Sequence, residues 1–289
     1  MQNWPASIRV GFWMTVTAIG FAIMLNTVRH LSNSGMDVFL IAFWRNVFAI
    51  LFFIPMIPRY WPSRFGIVHW KLYSLRAILM VISSISLFLG AILLPVAEAT
   101  ALSFTTPLFT TIAAILFLGE AVRWRRWSAL VVGFAGTLIM LRPGEDAFQM
   151  GAIVVLIAAI TFAGVTIVGK VLSRDDSPGL VTLNLSLYSL PLSLIPALFV
   201  WQWPSGDQWL WLGVLGASAI CNIFGISSAL RAGDASLLQP FDFLRLPFTA
   251  FGAYLAFAQL PTAWVWLGAA IIAASSIYIA HREARAGKR

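Results

Sequence analysis

Gln239-Pro240-Phe241-Asp242-Phe243-Leu244-Arg245-Leu246-Pro247 places an acid and a base three residues apart inside a run, Ala235–Phe257, that is otherwise almost wholly apolar. An ionisable side chain at the centre of a bilayer costs about 2.5–3.5 kcal/mol on insertion scales, so one kept there faces protein or water, not lipid. The two prolines remove backbone donors and bend the chain. Lipid tolerates that only where the freed carbonyls meet protein or a wet cavity. The stretch therefore reads as the lining of a polar cavity near the membrane midplane, with the rest of the chain as its support.

Composition agrees with a membrane solvent. Apolar residues make up 60% of the 289, charged residues only 10%, and there are 13 tryptophans. A soluble domain carries about 25% charged residues. The single cysteine, Cys221, excludes an intrachain disulfide and reads as a small buried packing residue. The net charge of +8 has a topological source, so no nucleic-acid partner is expected. The first apolar run is too long for a cleavable leader and lacks a small-residue cleavage site.

Ten apolar runs can be marked. They are Ile8–Val28, Val38–Ile57, Leu72–Leu94, Ala97–Leu118 and Trp127–Leu141, then Gly151–Val171, Leu180–Val200, Trp209–Leu230, Ala235–Phe257 and Trp264–Ala280. Most approach the ~20 residues that a helix needs to cross the hydrocarbon, and backbone satisfaction in lipid makes them helices. Fifteen of the 19 Lys and Arg residues fall on the side holding both termini, against Arg29 and Arg142 on the other, with Arg45 and Arg245 inside spans. This bias predicts cytoplasmic termini and an inner-membrane location.

The chain also repeats. Pro107-Leu-Phe-Thr, Phe117-Leu-Gly-Glu120 and Trp127 correspond to Pro247-Phe-Thr-Ala, Ala256-Phe-Ala-Gln259 and Trp266 at an offset of about half the chain. Five spans per half is odd, so residues 143–289 enter the bilayer inverted relative to residues 1–142. Inverted repeats are a signature of alternating-access carriers, whose sites lie between the repeats near the midplane.

Ala97-Glu98-Ala99-Thr100-Ala101-Leu102 running to Pro107, then Leu118-Gly119-Glu120 and Gly133-Phe134-Ala135-Gly136, resembles the EamA-type repeat of the drug/metabolite transporter superfamily. The resemblance covers the whole chain. In the second half it departs from the pattern, with Ala258-Gln259 where the family often has Gly-Glu. It implies an all-α polytopic membrane protein of ten transmembrane helices, built as two inverted five-helix EamA repeats around a central cavity. Members move small metabolites, and several bacterial relatives are similar to exporters of aromatic or other apolar amino acids. Others import compounds such as riboflavin or S-adenosylmethionine. The expectation here is export of an amino acid, with import of such a metabolite as the alternative. The only partners expected are a small-molecule substrate and the bilayer, for a monomer or homodimer.

Candidate substrate-binding residues follow from polarity inside spans. Arg45 suits a carboxylate clamp, or else a structural pairing with a neighbouring helix. Asp242 and Arg245 share a helix face and can neutralise each other, which leaves the interior about one positive charge in excess. Gln239, Asn222 and Asn26 carry amides that their own helices cannot fully satisfy. Thr106 and Ser83 form a weaker tier, since hydroxyls commonly bond their own helix. Trp44 and Trp13 lie deeper than the tryptophans at span ends and could stack on an aromatic cargo or simply pack. Pro95, Pro107, Pro240 and Pro247 are candidate hinges. Glu98 and Glu120 sit at span ends and read as structural. Ala129-xxx-Gly133 and Ala269-xxx-Ala273 suit close helix contact, within one chain or between two. No catalytic set, cofactor motif or metal-spaced cluster is present: His30, His69 and His281 fall at span ends and Cys221 has no histidine within the spans.

Overall fold

The computed structural model describes residues 6–54, 69–119, 128, 131–132, 135–136, 139, 150–173, 175–176, 178–232 and 241–286. The helices are α1 (Ala6–Asn33), α2 (Val38–Phe53), α3 (Trp70–Leu93), α4 (Val96–Ser103), α5 (Thr106–Leu118), α6 (Met150–Leu172), α7 (Pro178–Phe199), α8 (Gln208–Ala232), α9 (Arg245–Phe257) and α10 (Ala263–Ala286). Among the described residues there is no strand. Five segments are long and apolar enough to cross a bilayer: Ile8–Asn33, Trp70–Leu93, Val96–Phe117, Met150–Leu172 and Gln208–Ile226. Val38–Leu51, Leu183–Phe199 and Ala263–Ala274 are shorter apolar helices. Of the fifth expected span, only residues 128, 131–132, 135–136 and 139 are described, all helical. Gln239, Pro240, Glu120, Ala129 and Gly133 lie outside the described residues.

The outer surface is that of a protein solvated by lipid. Phe199, Phe117 and Leu116 are 85%, 76% and 71% exposed, in a pattern that water would penalise. Inside, Leu25, Leu31, Leu40, Ile41, Phe88 and Leu212 form one continuous core. Helix α1 packs chiefly on α8, and α6 on α3; α2 lies between α7 and α8. Gly20 explains how close α1 and α8 come. A Cβ there would lie 3.0 Å from the Ser218 carbonyl oxygen and 3.1 Å from the Asn222 nitrogen. Without a strong hydrophobic drive between helices in lipid, such small-residue contacts hold them together. Gly20→Val should therefore cost about 1–3 kcal/mol by overpacking and lower the melting temperature in detergent. An unchanged melt would mean that this contact is slack.

The expected span Ala97–Leu118 breaks in two. Phe104 and Thr105 form a turn between α4 and α5. Pro107 offers no N–H, and the Ser103 carbonyl it would have bonded instead accepts the Thr106 hydroxyl at 2.7 Å. A second break precedes α9 at Phe243–Leu244. There the Leu246 N–H donates to the Phe243 carbonyl at 3.2 Å, in place of the bond that Pro247 cannot make. The breaks touch: the Phe104 and Phe243 rings meet edge to face, 4.8 Å apart. Each broken helix also ends on a left-handed residue, Gly119 (φ 65°) and Ala258 (φ 54°). Ala258 stands where the resemblance leads one to expect glycine. The left-handed region costs a non-glycine residue about 1–2 kcal/mol, partly offset by the lower entropy of its unfolded chain. Ala258→Gly should raise stability by about 0.5–1 kcal/mol. A lower melting point for this variant would contradict that accounting.

Two expectations need correction. Pro95 does not interrupt a span but sits in the connector before α4, as its N-terminal cap residue. Among the described residues, Pro191 and Pro196 lie in the body of α7, where the continuous apolar run Leu180–Val200 gives no sign of a break. Cys221 is exposed on α8, not buried. α10 meets the fifth span through Gly268, since a Cβ on Gly136 would lie 3.1 Å from the Gly268 carbonyl oxygen, while Ala269 packs with Ala97 and Ala101 of α4.

Candidate functional site

Arg45 lies midway along α2 and is 9% exposed. Its Nη2 donates to Asn46 Oδ1 at 2.8 Å, and Asn46 Nδ2 donates to the Ser193 hydroxyl on α7 at 3.0 Å. The guanidinium stacks on Phe88 of α3, 5.2 Å from the ring centre. Among the described residues no carboxylate pairs with it. The clamp and structural readings thus partly merge: α2, α3 and α7 orient the fork, while no carboxylate among the described residues neutralises its charge.

Arg245 opens α9, directly after the break. Its Nη2 lies 2.5 Å from Asp242 Oδ1 across the Phe243–Leu244 turn. The guanidinium packs over Phe21 of α1 at 4.8 Å, and Nε is buried without a partner among the described residues. Local neutralisation is therefore real, yet one donor remains unspent. Phe21 and Phe88 belong to the same buried cluster, so the two guanidinium groups flank one core from opposite halves. Asn26 adds another unspent group. Its Nδ2 donates to the Ala22 carbonyl at 2.8 Å and to the Thr249 carbonyl on α9 at 3.4 Å, leaving Oδ1 buried and without a partner among the described residues. With Thr27 and His30 it supplies the polar lining of a cavity of ≈ 320 Å³ between α1, α8 and α9, shared with Trp211, Phe248 and Phe257.

Other candidates are spent on holding helices together. Ser83 donates to the Ala158 carbonyl at 2.9 Å, tying α3 to α6, and Asn222 donates to the Thr17 carbonyl at 3.3 Å, tying α8 to α1. Thr106 serves the break described above. Trp13 is wedged between Phe12 and Phe224, two rings on the lipid side. Trp44 does not stand apart from the interfacial tryptophans but contacts Trp201, Trp203 and Trp209.

Sequence reasoning missed two features. Asn46 follows Arg45 directly, and its amide was the available signal. Arg29, by position a charge just past the end of the first apolar run, donates its Nη1 to the Ala91 carbonyl at 3.0 Å and to the Leu94 carbonyl, and packs 5.9 Å from the Phe257 ring. Next to it the Gln259 side chain accepts the Val96 N–H at 3.3 Å. At the face where α1 begins, Arg76 similarly donates to the Val165 and Val181 carbonyls, at 3.2 and 3.0 Å.

Broken helices that meet in the membrane interior, flanked by charged groups with unspent donors, are the hallmark of a multi-pass carrier. The family model of the EamA-like transporters matches residues 9–142 and 149–280, and the chain belongs to that family. It is 34% identical to a riboflavin transporter of Vibrio cholerae over 96% of this chain and 94% of that one. It is 30% identical to an S-adenosylmethionine uptake transporter of Rickettsia felis, over 95% of this chain and 96% of the relative. A riboflavin transporter of Rhizobium johnstonii is 30% identical over 97% of this chain and 94% of its own. A solved crystal structure shares the fold with a TM-score of 0.60 at 20% identity, covering 93% of this chain and 98% of the other. The chain is a membrane transporter, and these relatives are not named as amino-acid exporters.

Proposed function

We propose that this transporter takes up a planar, nitrogen-rich heteroaromatic metabolite with a hydroxylated side chain, the chemistry that riboflavin and S-adenosylmethionine share. The observation that carries the reading is full-length similarity to two relatives of those names, at 34% and 30% identity. The interior supports it. A guanidinium without a carboxylate partner among the described residues can present two parallel donors to a carboxylate or to ring carbonyls, and the Phe21 and Phe88 rings provide apolar walls. Amino-acid export, the first expectation, is set aside in its favour.

In this reading ten helices form two inverted halves, residues 1–142 and 143–289, in a bacterial inner membrane with both termini cytoplasmic. Arg45 and Arg245 hold the acceptor edge of the cargo, Asp242 sets the position of Arg245, and Asn26 and Gln239 supply amide contacts. Pro107 and Pro247, with Pro240, let the broken helices bend as the halves rock. Proteoliposomes containing the purified protein should take up radiolabelled riboflavin or S-adenosylmethionine saturably, with no competition from excess tryptophan. Saturable movement of tryptophan alone would overturn the assignment.

A further inference from the structure

At the face opposite the start of α1, a cavity of ≈ 650 Å³ opens between the ends of α1, α3 and α7 and the start of α2. Ser32, Asp37, Leu89, Ile92, Trp201 and Gln202 line much of it. The volume lies in the range of small-molecule sites, and the lining mixes apolar walls with a few polar groups as such sites do. Asp37 is held in place, because its Oδ1 accepts the Phe39 N–H at 2.8 Å as the cap of α2.

Trp201 joins this cavity to the tryptophan cluster. Its ring lies 5.7 Å from Phe43, 6.1 Å from Trp44 and 5.4 Å from Trp203, at interplanar angles of 58°, 39° and 89°. None of these contacts is a parallel stack. The ring is therefore fixed in orientation by edge and tilted contacts while remaining partly open. An interfacial tryptophan that merely anchors a helix needs no such support. Three indoles, Trp201, Trp203 and Trp209, gathered around the buried Trp44, with a half-polar cavity against them, make a rigid stacking platform.

We propose that this cavity is a second binding site for the cargo, separate from the membrane interior, where the planar ring stacks on Trp201 and the hydroxylated chain hydrogen-bonds Asp37 and Gln202. The proposal rests on the uptake reading above and places a capture step ahead of the interior site. Stacking of a base-like ring on an aromatic side chain is worth about 10-fold in affinity, within the span seen on alanine substitution.

The test uses the full chain in nanodiscs with Arg45→Ala, so that the interior site is crippled. Riboflavin binding is read by quenching of flavin emission, and S-adenosylmethionine binding by retention of the radiolabelled compound. Binding of at least one should persist in Arg45→Ala, weaken about 10-fold on adding Trp201→Ala, and be largely kept by Trp201→Phe. Gln202 is exposed, so Gln202→Ala will fold even where Trp201→Ala does not, and it should weaken binding several-fold. Binding that Arg45→Ala abolishes, and that Gln202→Ala and Trp201→Ala in the otherwise native chain leave untouched, would overturn the second site and leave the uptake reading standing. No binding of either compound to the native protein would overturn both.

Discussion

Replacing Arg45 with alanine is expected to lower uptake by about 10- to 100-fold while leaving the fold intact. A charge-assisted hydrogen bond is worth about 1.5–3 kcal/mol, and its loss converts to that range. The fold should survive for a specific reason. Asn46 keeps its bond to the Ser193 hydroxyl, so the link between α2 and α7 outlasts the arginine. Nor does any carboxylate among the described residues lose its counter-charge. Arg45→Lys keeps the charge but not the planar fork, and should recover only part of the loss. The measurement is initial uptake against cargo concentration in proteoliposomes, with a thermal melt of each variant. Native uptake by Arg45→Ala would remove the clamp; a collapsed melt would make the residue structural. Asp242 behaves differently. Asp242→Asn strips Arg245 of its only carboxylate partner among the described residues, so it should perturb both melt and uptake.

The membrane class, the helical character and the two broken spans were legible in the sequence because each has a local cause. Continuous apolar runs demand helices in lipid, and a proline beside polar residues cannot continue one without help. The pairing of Asp242 with Arg245 followed from spacing alone and survives the intervening turn. What could not be read is where long side chains go. Arg29 and Arg76 look like charges at span ends by position, but each reaches across to donate to carbonyls on neighbouring elements. Asn222 and Ser83 looked like ligands because they are polar in a span, yet each is consumed by the partner helix. Trp44 looked deep because α2 is apolar on both sides of it. Only the return of the α7–α8 connector brings Trp201 and Trp203 down beside it. The choice of cargo was least legible of all. An excess of interior positive charge favours any acceptor-rich molecule, and an amino-acid carboxylate satisfies that rule as well as a flavin carbonyl does.

Replacing Arg29 with alanine is expected to unlatch the face opposite the start of α1. The last carbonyls of α3 have no partners within the helix, and a cation there is favoured by both hydrogen bonding and the helix dipole. Arg29 fills this place from α1, while its guanidinium also packs on Phe257 at the end of α9. Gln259 accepts the Val96 N–H just beyond. Residues from both halves of the chain are thereby tied together on one face, which is what closing a rocking carrier on that side requires. Losing about 2 kcal/mol of these contacts would shift the balance between closed and open forms by roughly 30-fold. Val96 is fully buried, which makes it a clean reporter. In a Cys221→Ser background, Val96→Cys should react slowly with a membrane-impermeant maleimide, and Arg29→Ala should speed the reaction by about 10- to 100-fold. Gln259→Ala should give a smaller increase, since it removes one neutral acceptor. A lowered melt with no change in labelling would reduce Arg29 to a helix cap, because a cap stabilises the closed and open forms alike and cannot bias the choice between them.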